Sequence, residues 1–125
     1  MTIDESTMTI NYDGRVFRST APETAGPDAA GPTGHYHQRD NLVWAEFAGG
    51  KVLRGSLVGT SGPDGRIDLA YCQVLVGGET VSGRCTSTPE LLPDGRIRLR
   101  EHWQRYGPAE GTGVSYIEEV TVHHG

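Results

Sequence analysis

The amino-acid sequence predicts an all-β fold, specifically an eight-stranded antiparallel up-and-down β-barrel. Turn-forming residues recur along the chain, as in DG at 13–14, GPDG at 62–65 and PDG at 93–95. The segments between them are rich in Val, Ile, Leu, Thr and Tyr, which is typical of successive β-hairpins. No window of adequate length has apolar residues at the helical spacing of 3.6, so we expect no substantial helix.

Eight main strands are expected in a single domain that spans residues 15–122, with an N-terminal extension of residues 1–14 that carries a short extra strand at 8–12. Sequential antiparallel strands protect their edges most simply by closing into a barrel, and a β-sandwich is the alternative. The strands are predicted at about 15–20, 33–39, 42–48, 51–61, 66–76, 79–88, 96–106 and 113–122.

One connection, residues 20–34, is much longer than a hairpin needs and consists mainly of small residues, Gly and Pro. Loops of this length in compact domains are usually functional lids or disordered segments. The sequence leaves both readings open.

The composition limits the classes of partner. A net charge of −5 argues against nucleic acid, because phosphate binding needs a basic patch. The first ten residues lack the features of an export signal, no run is long enough to span a membrane, and the two cysteines are too few for a disulfide framework. We therefore expect a cytoplasmic protein that needs no cofactor and has no nucleic-acid or membrane partner.

Turn lengths predict which side chains face the barrel interior. Two-residue turns at 49–50 and 77–78 would pair Phe47 with Val52 and Tyr71 with Arg84. The tight turns at 62–65 and 94–95 would pair Ser56 with Tyr71 and Thr86 with Trp103. The predicted interior is Val43, Ala45, Phe47, Val52, Arg54, Ser56, Val58, Ile67, Leu69, Tyr71, Gln73, Ser82, Arg84, Thr86, Ile97, Leu99, Glu101 and Trp103, with Val114, Tyr116, Glu118 and Val120 if the last loop keeps parity.

This interior would be aliphatic at one end and polar at the other, where Arg54, Arg84 and Arg105 lie. An eight-stranded barrel has room for one small ligand, and buried arginines are costly unless they are paired. We therefore expect a small-molecule ligand, polar or anionic at one end. A self-paired network of Glu101, Glu118 and arginines is the alternative. The predicted ligand-binding residues are Tyr36, Gln38, Phe47, Arg54, Ser56, Tyr71, Gln73, Ser82, Arg84, Trp103 and Tyr116.

An enzyme is a second hypothesis. Glu101 opposite Glu118 and beside Tyr71 would suit acid–base chemistry, because two close carboxylates raise one pKa. Such an enzyme would be an isomerase, cyclase or hydrolase acting on a bacterial metabolic or natural-product intermediate. The sequence contains no motif for nucleophilic or nucleotide chemistry.

Two histidines raise the question of a metal site. With DN at 40–41 as the turn, His37 opposes Trp44 and lies outside, while Tyr36 and Gln38 point inward. We favour a strand with two exposed or half-buried histidines, although a β-bulge would turn His35 and His37 inward and allow metal binding. A homodimer is also expected, because Trp44, Leu53 and Leu57 would form an outer apolar patch.

The turn-linked strands resemble the calycin-like barrels, the lipocalin and avidin group, most of which bind small molecules in the barrel mouth. YDGRVFRS, HYHQRDNLVWA, CTSTPELLPDGRIRLREHWQ and SYIEEV also resemble a family of small bacterial proteins that genome annotation often labels N-acetylglutamate synthase. That likeness covers about residues 10–120 and implies no catalytic residue. Acetyl-CoA-dependent transferases of the usual kind need a pyrophosphate-binding loop at a helix start, and none is visible in the sequence.

Overall fold

The computed structural model describes residues 10–20 and 31–121. Eight antiparallel strands follow one another around a closed barrel, and β1 pairs with β8 to complete the circle. This confirms the predicted fold class. The strands are β1 (Val16–Ser19), β2 (Thr33–Arg39), β3 (Leu42–Gly49), β4 (Val52–Ser61), β5 (Ile67–Leu75), β6 (Thr80–Leu91), β7 (Ile97–Arg105) and β8 (Gly111–Glu119).

Helix is nearly absent, as expected: the described part of the chain has one three-residue 3-10 helix, Gly107–Ala109. No helix within residues 10–20 and 31–121 is long and apolar enough to cross a membrane. The predicted lid, at residues 20–34, lies largely outside the described residues. So does the start of the predicted strand at 8–12, of which residues 10–12 form no strand.

The segment before β1 closes one end of the barrel. Ile10 and Tyr12 are buried in the core, and the Tyr12 hydroxyl donates a hydrogen bond to the Gly65 carbonyl in the β4–β5 turn. The Tyr12 amide donates to Oε1 of Gln38 at 2.8 Å. This end, which we call the base, is therefore filled by side chains from outside the eight strands.

Three strands present the faces that the sequence predicts. In β3, β5 and β7 the inward residues alternate with exposed ones as a half-buried strand requires. The predicted pair His37–Trp44 and the burial of Tyr36 are also confirmed. The correctly placed inward residues are Val43, Ala45, Phe47, Val52, Ile67, Leu69, Tyr71, Gln73, Ile97, Leu99, Glu101 and Trp103.

The prediction was wrong for most of β4, because a β-bulge follows Val52. Val52 pairs with Leu75 but Arg54 pairs with Val74, which leaves Leu53 as an extra residue. One extra residue reverses every later side chain of a strand. Gly49 pairs with Val52, so the two-residue turn is at 50–51 rather than 49–50, and this shift together with the bulge pairs Phe47 with Gly55 instead of Val52. The residues that lie outside instead of inside are Arg54, Ser56 and Val58.

The prediction was also wrong for β6, because the β5–β6 loop has three residues rather than two. The amide of Gly78 donates to the Leu75 carbonyl at 2.8 Å, and Gly78 has a φ of 91°, as three-residue hairpin loops require. Tyr71 consequently pairs with Gly83 instead of Arg84. The residues that this shift places on the outer face are Ser82, Arg84 and Thr86.

The loops at 63–65 and 93–95 are of the same type, each ending in a glycine with positive φ. Leu57 rather than Ser56 therefore pairs with Tyr71. Cys85 rather than Thr86 pairs with Trp103.

In the last strand, β8, the side chains that face the interior are also the opposite set from the one expected. Glu101 pairs with Ser115 and Leu99 with Ile117, so Ser115 and Ile117 face inward. The cause is the five-residue connection at 106–110, which joins Arg105 to its partner Gly111. The residues that were expected inside but alternate with the inward ones, and so belong to the outer face, are Val114, Tyr116, Glu118 and Val120.

The outer apolar patch is smaller than predicted. Trp44 is half-buried on the outer face and Leu53 is exposed, but Leu57 is buried in the core. The bulge at Leu53 accounts for this difference, since it turns Leu57 inward. The homodimer stays a prediction.

The base offers a test of the fold. Tyr12→Phe removes the hydroxyl that satisfies the buried Gly65 carbonyl, so we expect the free energy of unfolding to fall by about 1–2 kcal/mol. Urea denaturation measures it. Tyr106→Phe, at an exposed position, is the matched control and should leave stability unchanged. Equal stability of the two variants would show that the Tyr12 contact does not hold the base.

Candidate functional site

A cavity of about 130 Å³ lies inside the barrel at the end opposite the base. We call that end the mouth; the connection from β1 to β2 leaves and returns there. Most of the lining is apolar or aromatic, with a few polar groups. The lining residues are Phe17, Ser19, Pro32, Gly34, Tyr36, Phe47, Leu57, Leu69, Tyr71, Gln73, Cys85, Glu101, Trp103, Arg105, Ser115 and Ile117.

The aromatic walls depend on glycines in neighbouring strands. Phe47 pairs with Gly55, and a Cβ added to Gly55 would lie 2.2 Å from the Phe47 ring. Trp103 stands in the same relation to Gly113. Glycine within a strand often marks such close approach. Each ring therefore lies over a neighbouring strand.

A carboxyl group lies inside the cavity among these apolar walls. Glu101 faces inward from β7, and its Oε2 accepts a hydrogen bond of 3.3 Å from Ser87 Oγ. Burial raises the pKa of Glu101 to about 7, and the Ser87 hydrogen bond lowers it only in part. At neutral pH this group therefore exists in both protonation states, which allows it to donate or accept a proton.

Neutral groups surround that carboxyl. Burial, and next the Glu101 charge, raise the pKa of the Tyr36 hydroxyl well above its usual value. Burial and the same charge raise the pKa of the Cys85 thiol to about 12. Tyr36 and Cys85 are thus uncharged donors beside Glu101, and Cys85 is no activated nucleophile.

Towards the mouth the cavity becomes more polar. Arg105 lies over the Trp103 ring, with its guanidinium carbon 4.5 Å from the ring centre. Burial raises the pKa of the Tyr71 hydroxyl, and the nearby Arg105 charge partly offsets this. Gln73 lines the same region. The site therefore has a carboxyl inside and a cation nearer the opening.

Sequence reasoning placed six of its candidates correctly in the cavity: Tyr36, Phe47, Tyr71, Gln73, Glu101 and Trp103. The structure does not bring the others there. Arg54, Ser56, Ser82 and Arg84 are exposed on the outer face. Gln38 hydrogen-bonds the backbone of Tyr12 at the base.

Two further candidates also lie outside. Tyr116 packs on the outer face beneath Arg98, 4.9 Å from its guanidinium carbon. Glu118 lies 3.7 Å from Arg96 and therefore cannot pair with Glu101. The predicted interaction of two carboxylates was wrong, and burial rather than a second charge raises the Glu101 pKa.

The histidines lie where the two-residue turn placed them. His37 stacks on Trp44, and its Nε2 lies 2.8 Å from Oε2 of Glu46, which lowers the pKa of that carboxyl. His35 is exposed on the same face. Within residues 10–20 and 31–121, no three metal-binding side chains gather in one place.

Several lining residues were missed, among them Phe17, Leu57, Cys85, Ser115 and Ile117. Ser87, the partner of Glu101, was missed for the same reason as Cys85, because β6 was assigned the wrong face. The glycines carried the missing signal. Each of three glycines falls inside a strand: an added Cβ would meet the Phe47 ring at Gly55 and the Trp103 ring at Gly113, and the backbone of β7 and the Tyr71 hydroxyl at Gly83.

Comparison with known proteins identifies the family. The family model for avidin-like proteins matches residues 10–120. The chain belongs to the avidin-like protein family. Searches of curated proteins and of solved structures found no match. The match agrees with the resemblance to calycin-like barrels, and it does not address the resemblance to proteins labelled N-acetylglutamate synthase.

The buried carboxyl of this avidin-like barrel should make stability depend on pH. Because the folded-state pKa of about 7 exceeds the ordinary value of 4.5, the folded protein binds more protons between those values. Stability should therefore fall as pH rises from about 5 to 8, by roughly 2–3 kcal/mol from this group. Urea denaturation across this range measures the effect.

Glu101→Gln should remove this part of the dependence. The variant should match the wild type at pH 5 and exceed its stability at pH 8. Glu110→Gln, at an exposed position, is the control and should follow the wild-type profile. A wild-type profile unchanged by Glu101→Gln would contradict the assignment of a raised pKa to Glu101.

Proposed function

We propose that this protein binds a small molecule in the barrel cavity. The observation that carries the proposal is an apolar, aromatic-walled cavity into which Glu101, Tyr71 and Arg105 converge. Ligand pockets in proteins are mostly apolar with a few placed polar groups, and the mouths of β-barrels are frequent locations for them. Membership of the avidin-like family supports the same reading.

The size of the cavity limits the ligand. An engineered protein cavity of about 150 Å³ takes up benzene, so about 130 Å³ suits one ring or a body of similar size. A longer ligand would extend past Arg105 into the mouth. Aromatic side chains such as Phe47 and Trp103 would contact its flat faces.

The polar end differs from the one that the sequence predicted. Arg54 and Arg84 lie outside, so a single arginine, Arg105, with Gln73 beside the opening, replaces the expected cluster. An acceptor or anionic group at the outer end of the ligand would meet these donors. We also propose that the protein is located in the cytoplasm, as the sequence analysis predicts.

Fluorescence of Trp103 provides the test, because Trp103 lines the cavity and Trp44 lies on the outer face. In a Trp44→Phe background, single-ring aromatic compounds should change the Trp103 emission in a saturable way, with one molecule bound per barrel. Ser115→Phe fills the cavity and should weaken binding at least ten-fold.

Val114→Phe is the matched control, since Val114 is the neighbouring residue on the outer face and is 46% exposed. It should bind as the parent does. Ser115→Val is a smaller change that keeps the test valid if Ser115→Phe does not fold, and it should weaken binding less than Ser115→Phe. Absence of saturable binding across the panel, or equal binding by Ser115→Phe and Val114→Phe, would contradict the proposal.

A second candidate function is acid–base catalysis on a bound small molecule, as in an isomerase. The observation that favours it is the pKa of about 7 for Glu101 inside an apolar cavity, because a desolvated carboxylate is a strong base and a group near neutrality can also return the proton. The hydroxyls of Tyr36 and Tyr71 would donate to a developing oxyanion.

A nitro-substituted benzisoxazole tests this chemistry. The Glu101 carboxylate would remove the ring C–H proton, the ring N–O bond would break, and the electron pair would leave on the phenolate oxygen as a nitrile forms. We expect the rate above buffer to rise with pH through about 7 and to fall at least 100-fold in Glu101→Gln. Glu110→Gln should keep the rate. A rate independent of Glu101 would exclude it as the base.

A further inference from the structure

When Glu101 is ionised, above a pH of about 7, the cavity contains a negative charge that no cation within residues 10–20 and 31–121 pairs with. The hydrogen-bond partner of Glu101 is the neutral hydroxyl of Ser87, at 3.3 Å. On its own strand the nearest inward cation is Arg105, which lies beyond Trp103 towards the mouth and rests on that ring. The titratable or charged groups that face Glu101 from the other strands and from the mouth are Tyr36, Tyr71, Cys85 and Arg105.

The walls around that carboxyl are suited to a cation. Five aromatic residues line the cavity, and the faces of aromatic rings attract positive charge. A buried carboxylate pays a large desolvation cost unless an opposite charge or several hydrogen-bond donors reach it. A positively charged ligand group would satisfy both features at once. The aromatic residues are Phe17, Tyr36, Phe47, Tyr71 and Trp103.

We infer that the natural ligand carries a protonated nitrogen group, such as an amidinium or a primary ammonium, on a body of about one ring, and that this group binds Glu101. The inference rests on the proposed binding function and names the chemical class of the ligand. It adds a positive inner end to the ligand that the sequence predicts, whose anionic or acceptor group would face Arg105 at the mouth.

Binding of such a group is linked to pH. Glu101 must be ionised to pair with the cation, and its pKa in the free protein is about 7. Affinity for the cation should therefore rise about ten-fold per pH unit below 7 and level off above it. The affinity of a neutral compound of the same shape should not rise with pH in this way, because that compound forms no ion pair with the ionised carboxyl.

Benzamidine and benzamide make a matched pair of probes, because they have nearly the same shape and only benzamidine is charged. Titration calorimetry or Trp103 fluorescence, between pH 5.5 and 8, gives both affinities. At pH 8 benzamidine should bind at least ten-fold more tightly than benzamide. Glu101→Gln should abolish that preference and its pH dependence, while Glu110→Gln should preserve both.

Toluene, an uncharged ring without polar groups, separates this inference from the proposed function. If toluene binds and benzamidine does not bind better than benzamide, the ligand class is wrong and the binding pocket stands. If none of the three compounds binds, the proposed function fails and the inference fails with it. A preference for benzamidine that survives Glu101→Gln would also overturn the inference, since another group would then hold the cation. Glu101→Asp, which keeps the charge on a shorter side chain, should retain part of the preference.

Discussion

The cavity depends on a constraint of volume, namely that an eight-stranded barrel has barely enough interior for its own side chains. This chain places glycine beside its large inward rings, so that Phe47 lies over Gly55, Tyr71 lies by Gly83 and Trp103 lies over Gly113. The rings occupy space along the walls that side chains of the neighbouring strands would otherwise fill. The central space near the mouth consequently stays open, while Ile10 and Tyr12 fill the base.

The fold could be predicted from the sequence, but the inward faces of β4, β6 and β8 could not. Strand positions follow from turn residues and apolar composition, and these signals are local. Which side chains of a strand face inward depends on whether each preceding loop has an odd or an even number of residues. The bulge at Leu53 adds one further residue, and no distinctive sequence marks it. The loops at 63–65, 76–78 and 93–95 each have three residues, so an error at one loop reversed a strand and an error at the next restored it. The faces of β5 and β7 were therefore right although β4 and β6 were wrong.

The candidate site shows the same division. Glu101, Trp103, Tyr71 and Gln73 were found because β5 and β7 had the correct faces, whereas Cys85 and Ser87 were lost with β6. The arginine cluster expected at the mouth was a product of the two wrong strands. Of that cluster only Arg105 lies in the cavity, and the Glu101 carboxyl lies deeper among neutral side chains. Which charged groups lie inside this barrel thus depends on the exact number of residues in each loop, whereas its apolar lining depends on that number less.

The closed base has a practical consequence for affinity chromatography of this protein on immobilised candidate ligands. Because Ile10 and Tyr12 fill that end, a molecule bound beside Glu101 keeps only its outer end within reach of the mouth. A compound coupled to a chromatography matrix through its outer end can still enter the barrel, whereas one coupled through its inner end cannot. The position of the linker therefore decides whether an immobilised compound retains this protein on a column, and a pair of matrices with opposite attachment reports the direction in which the ligand lies.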